Sequence, residues 1–365
     1  MRLPFLILLI SLSAIDGRAQ ADTLRLLFAG DIMGHAMQIK SAEVSPGVYN
    51  YRPCFRYISP ILERADLAIG NLELTLPGRP PYTGYPMFRS PDALAVALRE
   101  AGFDILATAN NHANDAKAEG IVNTIETLRR LSFHQTGTFK NRRERDLFYP
   151  LMIYQNDFKL ALLNYTYGTN GLPAEPPTLV NLLDTAQIAA DLAEARTRNP
   201  HFIIVFVHWG SEYQNQENAE QRKWAHFFIR NGADLVVGAH PHVVQPIKTE
   251  TVVLPNGTKH TAVVAYSLGN FISNQQKPGT DGGILFGVEL IRRVDATRAE
   301  IARYGYIPIW RYVHRADSRK PTFFVMPAAK GIPADLNMPA EAQRAMASFL
   351  ERVRVHLNGI EEWDW

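Results

Sequence analysis

FIIVFVHWGSEYQNQENAEQRKWAHFFIRNGADLVVGAHPH, residues 202–242, holds two apolar runs that each end in histidines, with a helical pattern between them. The run 202–207 is rich in β-branched and aromatic residues. At that length it suits a strand buried on both faces and falls far short of a membrane span. Residues 219–231 follow as a helix and close on Asn231-Gly232, where Gly permits the left-handed cap that turns the chain into a new strand at 234–237. A helix feeding a strand in this way favours a parallel or mixed sheet covered by helices.

The same grammar extends outward in both directions. A first strand is expected at 24–29, a helix at 55–64 feeding a strand at 66–69, a helix at 91–101 feeding 103–108, and a helix at 185–197 feeding 202–207. The joints Arg64-Ala65-Asp66, Ala101-Gly102-Phe103-Asp104 and Asn231-Gly232-Ala233-Asp234 look alike. Two hairpins interrupt the pattern, at 151–165 around Asn156-Asp157 and at 251–266 around Pro255-Asn256-Gly257, and predict antiparallel additions to the sheet. Segments 77–90 and 167–177 read as long surface loops. Beyond Gln276 the chain is strand-rich, at 284–292 and 301–313, and ends in a helix at 340–357.

Every expected strand ends in a polar cluster, and the carboxyl ends of the strands are where an open α/β sheet builds a site. In chain order these are Gly30-Asp31-Ile32-Met33, Gly70-Asn71-Leu72-Glu73, Asn110-Asn111-His112, His208-Trp209-Gly210-Ser211-Glu212-Tyr213, Gly238-Ala239-His240-Pro241-His242 and Tyr266-Ser267-Leu268-Gly269-Asn270-Phe271. A lone Gly-Asp is usually a turn, and Asn-Asn-His alone is commonly a helix cap. Six such clusters in regular order point instead to a metal or anion site. Carboxylate oxygen with imidazole nitrogen suits Mn, Fe or Zn, and a set of this size has donors for one or two divalent ions. His35, His134, His201, His226, His260 and His314 lack clustered partners in the sequence and are read as surface or core residues. No Gly-x-Ser-x-Gly elbow, P-loop or dinucleotide glycine fingerprint is present, which disfavours those chemistries.

Residues 1–21 carry Arg2, an apolar run over 3–12 and a small-residue site at Ala19-Gln20-Ala21, the pattern of an export leader cleaved after Ala21. The protein is therefore expected in the periplasm or outside the cell, with no transmembrane span in the mature chain. A net charge of +2 over 365 residues gives no electrostatic case for a nucleic acid partner or an anionic membrane surface. Cys54 is the only cysteine, so no intramolecular disulfide forms and stability rests on the core. The expected division is a leader at 1–21, a domain at 22–276 holding all six clusters, and an extension at 277–365 packed on that domain.

The ordered motifs Gly-Asp-x-Met, Asn-Leu-Glu, Asn-Asn-His, His-Trp-Gly-x-Glu-Tyr, Gly-x-His-Pro-His and Ser-Leu-Gly-Asn-Phe resemble the bacterial capsule-synthesis CapA family, also called PGA-cap after poly-gamma-glutamate. That family resembles the calcineurin-like metallophosphoesterases, which implies a four-layer αββα sandwich with mixed sheets and a di-metal centre. Carried over position by position, the resemblance puts Asp31 and His242 on a first ion, Glu73 as the bridging carboxylate, and Asn111, His208 and His240 on a second. His112 takes the position of general acid. The superfamily usually reads Asp-x-His where this chain has Asp31-Ile32-Met33, and thioether sulfur is a poor ligand for a borderline ion, so the first site is expected to be the weaker. The second motif offers both Asn71 and Glu73. Glu73 is chosen as the bridge because a carboxylate spans two ions better than an amide does. The resemblance implies a phosphoesterase-like hydrolase acting on a phosphoester or surface-polymer substrate, with a non-catalytic metal-binding accessory protein for polymer export or tethering as the alternative.

Overall fold

The computed structural model describes residues 21–254, 256–293, 296–315 and 320–364. The expected leader thus lies outside the described residues except for Ala21. The principal strands, in chain order, are β1 (Ala21–Ile32), β2 (Leu67–Leu72), β3 (Ile105–Ala107), β4 (His134–Thr136), β5 (Leu151–Gln155), β6 (Phe158–Thr166) and β7 (Phe202–His208). They continue as β8 (Leu235–Ala239), β9 (Ile247–Val253), β10 (Lys259–Ala265), β11 (Asn270–Ile272), β12 (Gly282–Arg293), β13 (Glu300–His314) and β14 (Thr322–Pro327). The main helices are α1 (Ala93–Glu100), α2 (Lys117–Arg130), α3 (Thr185–Thr197), α4 (Ala219–Arg230) and α5 (Ala340–His356).

The strands form two mixed sheets, one in the order β14-β13-β12-β1-β2-β3-β4 with β11 also paired to β1, the other β9-β10-β8-β7-β6-β5. Their facing sides share one apolar core, in which Phe28 of β1 meets Phe206 of β7 edge to face at 6.3 Å and Phe286 of β12 at 6.2 Å. Truncating a fully buried Phe of this kind costs about 3–5 kcal/mol. On the outer face of the first sheet, Leu27 and Leu106 pack with Leu94 and Leu98 of α1 and Leu128 of α2. On the outer face of the second, Ile203 and Val205 pack with Ile188 and Leu192 of α3 and Phe228 of α4. Helix, sheet, sheet, helix is the four-layer sandwich, and Phe349 and Val353 of α5 join the core between the sheets.

Most elements fall where the apolar periodicity puts them, and the differences have local causes. The helix expected at 55–64 is two short turns, Arg52–Phe55 and Ser59–Leu62, each with a proline in its first turn. Pro60 has no N–H to donate and clashes with the preceding turn, so one continuous helix cannot form. Residues 110–112 cap no helix; α2 starts later, after Ala116, which offers no capping side chain, and it carries Gly120 inside. The strand expected to end in residues 266–271 stops at Ala265, and Asn270–Ile272 forms a separate strand parallel to β1. That pairing depends on Gly30, because a Cβ there would meet the Gly269 carbonyl oxygen at 1.9 Å.

Register aligns the strand ends. Asp31 lies beside both Asn71 and Asn270 in parallel pairs, and His208 beside Ala239, so the carboxyl ends of β1, β2, β7 and β8 converge on one edge of the sandwich. The strands from 282 onward enter the same sheet as β1, through the antiparallel pairing of Leu24 with Leu290 and Phe28 with Phe286.

Candidate metal centre

Asp31, Glu73, Asn111, His208, His240 and His242 come together at that edge, all buried. Two of the three groups of potential ligand atoms among the described residues share Glu73, namely Asp31 with Glu73 and His242, and Glu73 with His208 and His240; the third is Glu212 with His240 and His242. The Asp31 Oδ2 lies 3.0 Å from His242 Nδ1, and a Glu73 carboxylate oxygen lies 3.9 Å from the same nitrogen. On the other side His208 Nε2 is 2.8 Å from Asn111 Oδ1 and 3.6 Å from Glu73 Oε1. Asn71 stands between the groups, donating to Asp31 Oδ1 at 2.8 Å with its amide nitrogen 3.2 Å from His208 Nδ1. The turn carrying the two histidines is bent into left-handed backbone, φ +100° at His240 and +60° at His242. Side chains with a Cβ adopt that region at a cost, which packing around a site can hold in place.

The donor set fits a divalent cation. Both Glu73 carboxylate oxygens and His240 Nδ1 are buried without a hydrogen-bond partner. A buried carboxylate left this way is expensive unless a cation or proton meets it. Burial first, then the charge of Asp31, holds the Glu73 carboxyl well above its ordinary range. Burial, reinforced by the neighbouring histidines, pushes His208 well below its ordinary value and His240 down to about 3, so both rings are neutral and keep a lone pair for an ion at physiological pH. Oxygen and nitrogen donors together match Mn, Fe or Zn.

His112 sits outside both groups and pairs with a residue the sequence reading missed. Its Nδ1 is 2.7 Å from Asp115 Oδ2, which also accepts the Phe88 N–H at 2.6 Å. The three-residue spacing within the 110–116 turn segment was the available signal. Phe88 meets the His112 ring at 4.6 Å and the His35 ring at 4.9 Å, both edge to face. The expectation that His35 lacks clustered partners is therefore corrected: burial and then the charges of His242, Arg311 and His112 push it down to about 4. Three residues separate His35 from Asp31, and the bend into the following helix, Ala36–Ala42, brings it back to the site. Asn270 turns its amide to Ser273, Gln275 and the Thr280 carbonyl and joins neither group.

Residues 25–275 match the family described as bacterial capsule synthesis protein PGA_cap. The chain belongs to this family. The matched PGA_cap stretch contains all of the residues just described except Thr280 and Arg311, and β12 to β14 and α5 follow it. The PGA biosynthesis protein CapA of Bacillus subtilis is 29% identical over 276 residues, 70% of this chain and 64% of that protein. The capsule biosynthesis protein CapA of Bacillus anthracis is 27% identical over 274 residues, 70% of this chain and 61% of that protein. The chain thus spans less than two-thirds of either relative. Among solved structures, the NAD nucleotidase of Haemophilus influenzae superposes with a TM-score of 0.50 at 12% identity, over 94% of this chain and 65% of that one. A phosphatase of Mycoplasma pneumoniae gives 0.42 at 16% identity, over 80% and 95%. At 12% identity the likeness to the nucleotidase is one of fold alone, a metallophosphoesterase-like α/β sandwich.

Proposed function

We propose that this PGA_cap protein is a metal-dependent phosphoesterase-like hydrolase, exported through its leader, that acts in the assembly of capsule or another surface polymer. The observation that carries the reading is the pair of ligand groups sharing Glu73, whose buried oxygens have no partner, beside the His112–Asp115 pair. Asp31, Glu73 and His242 would hold one ion, and Glu73, Asn111, His208 and His240 the other. Bound divalent ions supply Lewis-acid polarisation of a phosphoryl oxygen. Asp115 accepts the His112 Nδ1–H and so leaves Nε2 as the atom that exchanges a proton, in the role of general acid toward a leaving oxygen. Tyr167 stacks near His208 at 6.3 Å and His240 at 4.7 Å and walls that side of the centre.

A second reading is favoured by Met33, buried where the superfamily has a ligand histidine: a non-catalytic metal-binding accessory protein for polymer export or tethering. The two readings part on a direct test. Metal analysis of the purified mature protein, followed by a panel of phosphomonoesters and phosphodiesters under saturating Mn or Zn, should give bound metal and hydrolysis of at least one class. Bound metal with no hydrolysis, together with retention of an anionic polymer, would give the protein to the accessory reading.

A further inference from the structure

His242 is the only nitrogen donor in the group with Asp31 and Glu73, so how its ring is held decides how well that group binds an ion. The His242 Nδ1 faces Asp31 Oδ2 at 3.0 Å. An ion held by Asp31 and Glu73 would draw on the Nδ1 lone pair. A neutral ring ligating through Nδ1 would carry its hydrogen on Nε2. Among the described residues Nε2 faces the Glu212 carboxylate, whose Oε1 lies 4.0 Å away on a side chain that is 42% exposed and also engages the Tyr213 side chain. Closing the gap takes a rotation of that exposed side chain.

The loop bearing Glu212 is fastened to the turn bearing His242. Gly210 at φ +90° and Tyr213 at φ +64° reverse the chain after β7, and the Tyr213 N–H bonds the Pro241 carbonyl at 2.8 Å. The Tyr213 ring lies 6.0 Å from the His242 ring. Glu212 is also among the charges acting on Glu73, which places it at the centre rather than on an unrelated surface. We propose that Glu212 is a positioning residue for the metal centre: it accepts the Nε2–H of His242 and so fixes the tautomer that presents Nδ1 to the ion beside Asp31. A carboxylate on the far nitrogen of a ligand histidine orients the ring and raises its basicity. Here it offsets in part the histidine that Met33 replaces. Direct ligation by Glu212 with His240 and His242, whose donor atoms also lie within reach of one another, is the competing arrangement.

The inference rests on the metal-centre reading and is tested apart from any hydrolysis. Mn²⁺ titrated calorimetrically into the metal-free full chain should show two unequal binding events. Glu212→Ala should weaken one of them by about 10- to 100-fold and leave the other within about twofold. Glu212→Gln should recover most of the loss, since an amide oxygen still accepts the Nε2–H. In zinc-loaded protein with ¹⁵N-labelled histidine, His242 should be protonated at Nε2 in the wild type and lose that single tautomer in the Ala variant. Unchanged titration of the Ala variant would overturn the proposal. So would a Gln variant as weak as Ala, which would make Glu212 a ligand. A wild-type chain that binds no Mn²⁺ would bring down the metal-centre reading and this inference with it.

Discussion

The two halves of the centre share Glu73 and differ in everything else. The half beside β1 has an acid and one imidazole, Asp31 and His242, with Met33 buried where another nitrogen would serve. The half beside β7 and β8 has two imidazoles and an amide, His208, His240 and Asn111, drawn together to 2.8 Å between His208 and Asn111 even without an ion. More protein donors, already converged, bind more tightly because less has to be ordered on binding. On the proposed reading, one fold edge would carry a strong and a weak version of the same kind of site.

The largest effect should come from removing a donor from each half at once. His240→Ala combined with His242→Ala should abolish stoichiometric metal while circular dichroism stays near that of the wild type, because the turn they sit on lies at the sheet edge. Unchanged metal content by mass spectrometry in that variant would refute the assignment of both halves. Next in size is His112→Asn, which touches neither half. It should keep the metals yet lower turnover by roughly 10² to 10⁴. The loss should be smallest for a nitrophenyl ester, whose leaving group hardly needs a proton. Equal loss across leaving groups would count against the general-acid role.

The comparison sharpens further at Met33. One ion should survive gel filtration, and a second should appear only with added Mn or Zn. Met33→His adds an imidazole to the weak half and should tighten that second ion by about tenfold or more, a gain on the order of 1.4 kcal/mol. If two ions already survive dialysis of the wild type, the halves are not unequal and the comparison breaks.

Strand ends were legible because apolar runs and the residues after them are adjacent in sequence. The runs at 202–207 and 234–237 lead directly into His208 and His240, and the structure keeps those neighbours together. What was not legible depends on contacts across the chain. The closeness of His35 to His112 passes through Phe88, and the partner of His112 turned on a tight turn rather than the helix cap that Asn110-Asn111-His112 suggests. Glu212 stood in a quoted motif, but nothing in a linear spacing says that it faces the far nitrogen of His242. The leader expected at 1–21 rests on composition alone and, apart from Ala21, lies outside the described residues.

The last predicted effect concerns Glu73, the residue both halves share, and it reverses sign with the metal. In the metal-free protein its carboxyl is held well above the ordinary range of about 4.3, by burial and then by Asp31. Below that range the carboxyl is protonated in folded and unfolded chains alike, and the group contributes no slope. As pH rises past it, the unfolded chain releases the proton while the folded chain keeps it, so folding stability falls, by up to about 1.4 kcal/mol per pH unit, until the folded group ionises. His208 and His240 act oppositely, since their folded values are lowered and they cost stability only as pH falls below about 6.5. These histidines, and Cys54, whose thiol burial pushes up to about 12, are common to wild type and a Glu73 variant, so comparing the two isolates Glu73. Urea unfolding of metal-free protein should therefore show wild type losing stability relative to Glu73→Gln as pH rises above the ordinary carboxyl range, until the folded carboxyl ionises. With saturating Mn²⁺ the order should invert, because the ion stabilises the ionised carboxylate and the amide variant holds it less well. A wild type and variant that track each other at all these pH values, with and without Mn²⁺, would mean that Glu73 bridges nothing.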